Sequence, residues 1–212
     1  MDKYTLFYIN GCPGARAVRL YMKYKNIECE DVLINLSKGE HRTNEFLRLN
    51  PMHTVPTLKI ETPGGKTKGI YESRIILKYL DNIFQYNDIE IDKWLYWDLG
   101  FLSPNVGKII YPRLFRNEEP DLKDLPNLIE KFHYLDNKLS ENIFLIGNKM
   151  TIADLSSAML VENSQICGDL INVKDYHNIS VWLETIKKEI GEEKWSSVMN
   201  PFYSTFSKKI NY

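Results

Sequence analysis

Cysteine is scarce in this chain. Cys12, Cys29 and Cys167 are too few, and odd in number, for a disulfide framework, which points to a reducing compartment. No stretch approaches the roughly 20 consecutive apolar residues of a membrane span. The opening "MDKYTLFYIN" carries no apolar run followed by a small-residue cleavage site, so a cytoplasmic protein away from membranes is expected. The formal charge of −1 gives no electrostatic reason to expect nucleic acid as a partner. Internal repeats and low-complexity tracts are lacking, and no metal is expected. What the 212 residues do contain is 43% hydrophobic side chains, enough for one compact unit or two small domains with real cores.

The hydrophobic pattern changes character part-way along. "YTLFYI" reads as a strand, and Pro13 and Gly14 then open a helix with Val18, Tyr21 and Met22 at helical spacing. "CEDVLIN" is a second strand and "TNEFLRLN" a short helix stopped before Pro51. "VPTLKIE" and "TKGIY" form a hairpin around "TPGG", and "ESRIILKYLDNIF" is a helix with Ile75, Ile76, Tyr79, Leu80 and Ile83 on one stripe. "QYNDIE" reads as a polar linker, and beyond it only helical periodicity remains. "DKWLYWDLGFLSPNVGKIIYPRLF" is a long apolar helix expected to kink at Pro104. "LPNLIEKFHYLDNKLSEN", "TIADLSSAMLVENSQI" and "ISVWLETIKKEI" follow as helices. The expected architecture is an α/β βαβ-ββα domain over 1–84, then an all-α domain over 90–212.

Three markers place chemistry on the first domain. A cysteine stands at the first strand-to-helix turn, in "YINGCPGARAV". "HTVPTL" puts Val55-Pro56 at a strand start, where a cis-proline would leave the preceding backbone free to pair with a peptide-like ligand. "YESR" opens the next helix, whose free N–H groups suit a carboxylate, while Glu72 suits an ammonium group. An extended, acidic tripeptide with a free amino end fits such a surface. Each residue has a plainer reading too. His41 and His53 can be polar loop residues, Glu72 a charge opposing the helix dipole, and Arg74 the partner of a nearby carboxylate.

These motifs resemble a known family. "LFYINGCPGARAVRL", "KGEHRTNEFLRLNPMHTVPTL" and "YESRIILKYL" are similar to the thioredoxin-like N-terminal domain of cytosolic glutathione transferases of the insect delta and epsilon types, with theta next. "LYWDLGFLSPNVGKIIYPRLF" and "TIADLSSAMLVE" extend the resemblance into the helical domain. It implies a homodimer that uses glutathione as co-substrate and takes a small apolar electrophile against the helical domain. By position, His41 and His53 would reach the glycine end of glutathione, Val55 its cysteinyl backbone, and Glu72 and Ser73 its γ-glutamyl end, with Arg74 beside them. The electrophile would meet Ser103, Val106, Ile110 and Tyr111, a more aliphatic lining than the several tyrosines of the delta type.

The resemblance breaks at one point. Delta-type enzymes place a serine four residues before the arginine of the first helix, and here that position is Cys12, before Arg16. A thiol at a helix N-terminus is expected to ionise below about 8.5. As a thiolate it would attack a disulfide rather than help a second thiolate. Cysteine-type relatives favour thiol transfer and dehydroascorbate reduction, but with Cys-Pro-Phe or Cys-Pro-Tyr in place of Cys-Pro-Gly. Tyr8 is the other candidate donor, and a site with no dedicated side chain is the third possibility. Three functions therefore stand open: conjugation of glutathione to electrophiles, glutathione-dependent thiol transfer, and a non-catalytic binding module of the same fold. The last has no need of the full constellation.

One pattern is set aside as structural. Thr151-Ile-Ala-Asp154 reads as a capping box, with Met150 and Leu155 as its hydrophobic staple. Trp94, Trp97 and Phe101 are expected in the core.

Overall fold

The computed structural model describes residues 2–82 and 88–206. Ile83, Phe84 and positions 85–87 of the expected linker lie outside them. The chain divides into two compact units, Met1–Asn87 and Asp88–Tyr212.

In the first unit, β1 (Lys3–Tyr8) leads through the Cys-Pro-Gly turn into α1 (Pro13–Tyr24). Pro13 suits this start, since the first helical position has no intrahelical partner for its N–H. β2 (Glu30–Leu33) lies parallel to β1. α2 (Asn44–Leu49) is capped by Thr43, whose hydroxyl accepts the Phe46 N–H. β3 (Thr57–Glu61) and β4 (Thr67–Tyr71) form the expected hairpin, and α3 (Ser73–Leu80) closes the unit. The strand order is β2-β1-β3-β4, with β3 antiparallel to its neighbours, the βαβ-ββα arrangement of a thioredoxin-like domain.

Strand alternation sorts the two faces. Phe7 meets Phe46 of α2 edge-on, with ring centroids 5.5 Å apart. Tyr8, one residue on, lies on the opposite face beneath Arg19 of α1. The turn 10–14, the loop 50–56 and the start of α3 all lie at the same end of the sheet, because β1 runs towards it and β3 runs away from it.

The described residues of the second unit form helices joined by loops. Its helices are α4 (Ile89–Trp97), α5 (Ser103–Tyr111), α6 (Leu125–Leu139), α7 (Ile152–Ser164), α8 (His177–Ile190) and α9 (Glu192–Phe206), and α4, α5 and α8 pack on α7, all of whose residues are buried. The break expected near Pro104 takes the form of a wider π-type turn over Asp98–Leu102, so the helix continues around the missing N–H. Asn105 Nδ2 donates to the Phe101 carbonyl there, at 2.7 Å.

One expectation needs correction. Trp94 is buried, edge-on to Trp97 and with its ring centroid 6.1 Å from that of Tyr134, but Phe101, within the π-turn, is 55% exposed. α9, inside the expected all-α domain, was not read as a helix of its own; it carries Pro201 within it, and Trp195, Val198, Met199 and Phe202 bury one face at helical spacing.

The capping box is present as read. Asp154 accepts Thr151 N at 2.8 Å and Thr151 Oγ1 at 2.9 Å, while Thr151 Oγ1 accepts the Ala153 N–H. The same carboxylate reaches further than a cap, accepting Leu145 N at 2.8 Å and Trp182 Nε1 at 2.9 Å.

Candidate active site

Cys12 is the N-cap residue of α1 and makes no capping bond. Its thiol instead donates to the Val55 carbonyl, at 3.4 Å. The Val55–Pro56 peptide is cis, as the motif led us to expect. The turn below Cys12 is held by Arg16, a fully buried cation whose Nη1 donates to Asn10 O at 2.7 Å.

The electrostatics of Cys12 run against expectation. Burial pushes the thiol above its ordinary 9.0. The N–H groups of Ala15 and Gly14 and the charges of Arg16 and Arg74 pull the other way but do not overcome it. A helix N-terminus favours a thiolate only when the desolvation it offsets is smaller. The balance at Cys12 is thus away from the thiolate, at a residue that keeps some exposed surface.

Tyr8 is held differently. The Arg19 guanidinium lies 4.1 Å above its ring centroid, and Arg19 is itself fixed by Asp31 of β2, with Nε at 2.9 Å and Nη2 at 2.8 Å. This ladder anchors the aromatic ring.

The loop residues converge too. His41 and His53 sit with ring centroids 6.1 Å apart. His41 Nε2 accepts Arg42 Nε at 3.3 Å, which puts the ring proton on Nδ1. Nδ1 is buried without a hydrogen-bond partner among the described residues. Burial first, then Arg42 and His53, hold His41 below its ordinary 6.5.

Backbone strain marks the same region. Five non-glycine residues have positive φ among those described. Asn26, Asn82 and Asn117 are of the type that tolerates it. The other two are His53 (φ 47°) and Glu72 (φ 67°), both already candidates from the sequence. Such strain, of order 1–3 kcal/mol per residue, gathers at ligand sites. Glu72 precedes α3 with no side-chain capping bond, and its carbonyl accepts Ile75 N and Ile76 N, each at 2.9 Å. Ser73, the first residue of α3, is buried, and Arg74 follows it.

Sequence reasoning overlooked Asn50, which builds the loop carrying His53 and Val55. Fully buried, it donates to Thr54 O at 3.0 Å and Thr57 Oγ1 at 2.8 Å, and accepts Met52 N at 2.9 Å. The Asn-Pro step after α2 was the available signal.

The helical candidates divide. Ser103 and Tyr111 keep exposed surface, and Tyr111 meets Phe115 edge-on at 5.3 Å. Val106 and Ile110 are each 0% exposed along α5.

The glutathione S-transferase N-terminal domain model matches residues 2–82, and the C-terminal domain model residues 101–189. The chain belongs to the glutathione S-transferase family. This transferase is similar in structure to a Bombyx mori glutathione transferase, 26% identical, with a TM-score of 0.84 over 98% of this chain and 97% of that one. It is also similar to a Nilaparvata lugens delta-class glutathione transferase, 28% identical, with a TM-score of 0.76 over 95% and 99%. Ure2p shares the fold, at 20% identity and a TM-score of 0.80 over 94% and 93% of the two chains. The delta-class neighbour agrees with the class that the motifs resemble. Among the described residues no helix of the transferase is long and apolar enough to cross a membrane.

Proposed function

We propose that this transferase conjugates glutathione to small apolar electrophiles. The observation that supports the reading best is one convergence at the end of the sheet. Cys12 bonded to Val55, the paired His41 and His53, and the strained Glu72 beside Ser73 and Arg74 together offer donors, a backbone edge and a carboxylate. Glutathione has the complementary set. Its glycine carboxylate goes to His41 and His53, its cysteinyl backbone to Val55, and its ammonium group to Glu72, with Ser73 and Arg74 against the adjoining carboxylate. On the helical unit, Ser103 and Tyr111 supply the electrophile contacts.

The reaction needs the glutathione thiol as its thiolate, which attacks an electrophilic carbon and expels the leaving group. The α1 N-terminus favours that negative charge. Cys12, held towards its thiol form, can donate S–H to it, though weakly. Tyr8 is the alternative donor. A Cys12 held away from the thiolate is a weaker nucleophile, which counts against thiol transfer as the main activity.

Parallel assays with a chlorodinitrobenzene-type electrophile and with a mixed disulfide test this. Conjugation well above disulfide turnover is expected, and the reverse ratio overturns the reading. The proposal includes a cytoplasmic homodimer, and light scattering that found a monomer at micromolar concentration would remove the dimer from it.

A further inference from the structure

Gly14 stands in the first turn of α1, hard against the first residue of α3. A Cβ built on Gly14 would lie 2.5 Å from Ser73 Oγ and 2.7 Å from Ser73 Cβ, with Pro56 Cδ at 3.7 Å. The first two separations are far inside van der Waals contact. Neither neighbour yields easily. Ser73 is buried at the first position of α3, directly after the strained Glu72, and its short side chain has no flexible length to swing away. Gly14 lies in the first turn of α1, beyond the fixed φ of Pro13. Two helix N-termini therefore meet at one missing methyl group.

We propose that Gly14 is a positioning residue for the glutamyl end of glutathione: its lack of a side chain lets α3 seat Ser73 and Glu72 against the start of α1. This rests on the function proposed above. Any side chain at position 14 pushes Ser73 outward and carries Glu72 with it, while the His41–His53 pair and the helical unit stay as they are. The consequence is a specific one. Affinity for glutathione falls, and affinity for the electrophile does not.

The test is a double-mutant cycle read by calorimetry with glutathione and by steady-state kinetics. Gly14→Ala should weaken glutathione binding about tenfold, a moderate overpacking effect. KM for glutathione should rise in step, with kcat and the electrophile KM nearly unchanged. Gly64→Ala, whose added Cβ meets nothing nearer than Thr62 Oγ1 at 4.0 Å, is the control and should bind as the parent does. Ser73→Gly removes the opposing atoms and weakens binding by itself. In that background Gly14→Ala should add less than about twofold. Unchanged affinity in Gly14→Ala, or an equal penalty in both backgrounds, overturns the proposal and leaves the transferase reading intact. A parent protein that binds no glutathione overturns both. Should Gly14→Ala alone fail to fold, the double variant decides. Folding and binding like Ser73→Gly sustains the contact, and failure to fold overturns it.

Discussion

The starts of α7 and α3 are built in opposite ways. At α7, Thr151 and Asp154 satisfy each other and their neighbours, and Asp154 alone accepts four hydrogen bonds. At α3, the residue before the helix is a carboxylate at φ 67° with no capping bond. The start of α1 stands between them: Cys12 caps nothing, but its φ of −82° is relaxed and its thiol donates to Val55 O. Both kinds carry a Ser, Thr, Cys or Asp/Glu in the first turn, so residue type does not separate them. Satisfaction does. Where every donor has its acceptor and φ is relaxed, the helix start serves the fold. Where polar groups are left over and the backbone is strained, the fold holds them for something else.

The largest effect should come from breaking the satisfied end. Asp154→Ala strands the buried Leu145 N–H and Trp182 Nε1–H. At about 1–3 kcal/mol for each buried donor, the loss is about 2–6 kcal/mol, a large part of a typical domain's stability. Chemical denaturation should show it as a lower midpoint. Conjugation activity per folded molecule should hold. A midpoint within error of the parent would mean that the carboxylate network adds nothing.

Breaking the unsatisfied end should do the reverse. Glu72→Ala should weaken glutathione binding by about 1.5–3 kcal/mol, the worth of a charged hydrogen bond, while the denaturation midpoint barely moves. Glu72→Gly sharpens the contrast. Glycine takes positive φ without steric penalty, so this variant should be about 1 kcal/mol more stable than the parent and still bind poorly. Unchanged calorimetric affinity in both variants would remove Glu72 from the site.

A smaller effect is expected at Thr151. Thr151→Ala removes one side-chain cap, worth about 1 kcal/mol, and leaves Asp154 its bonds to Leu145 N and Trp182 Nε1. If Thr151→Ala destabilised as much as Asp154→Ala, the box would act as one unit and the buried network would not be the stronger part.

How much of this was legible beforehand depends on what each feature needs. Period and turn chemistry located the strands and most helices, because they are local properties of the chain. α9 was not picked out, since its helix is held by burial of Trp195 and Phe202 that no local propensity records. His53, Glu72 and Val55 were readable as a spaced motif, and the structure adds the strain and the cis bond. Asn50 was missed because its role lies in three-dimensional bonds to residues 52–57. The ionisation of Cys12 was misjudged for a related reason. Helix position can be read from sequence, but depth of burial cannot, and here burial is the larger influence. The motif placed Val106 and Ile110 on their helix but carried no measure of how deeply they are buried.

The smallest expected effect is a near absence of one. All three thiols are raised above the ordinary 9.0, Cys12 by burial, Cys29 to about 12 and Cys167 to about 11, each with burial as the leading cause. At pH 7 the folded protein should therefore react with iodoacetamide far more slowly than a free thiol, at Cys12 as elsewhere, because only thiolate reacts. Mass spectrometry of the alkylated protein reads each site separately. The sign in stability follows from the same shifts. A group whose folded pKa lies above its unfolded value contributes stability that is present below the unfolded value and lost as pH rises through the folded one. The denaturation midpoint should thus hold up to about pH 9 as far as these thiols are concerned, and decline above it. Cys12→Ser should leave the neutral-pH midpoint almost unmoved and supply a stronger hydrogen-bond donor beside the α1 N-terminus, so conjugation should rise. Tyr8→Phe should then change little. Rapid labelling of Cys12 at pH 7 would show a thiolate that the helix start stabilises after all. The start of α1 would then differ from that of α3 in kind, and thiol transfer would displace conjugation as the better reading.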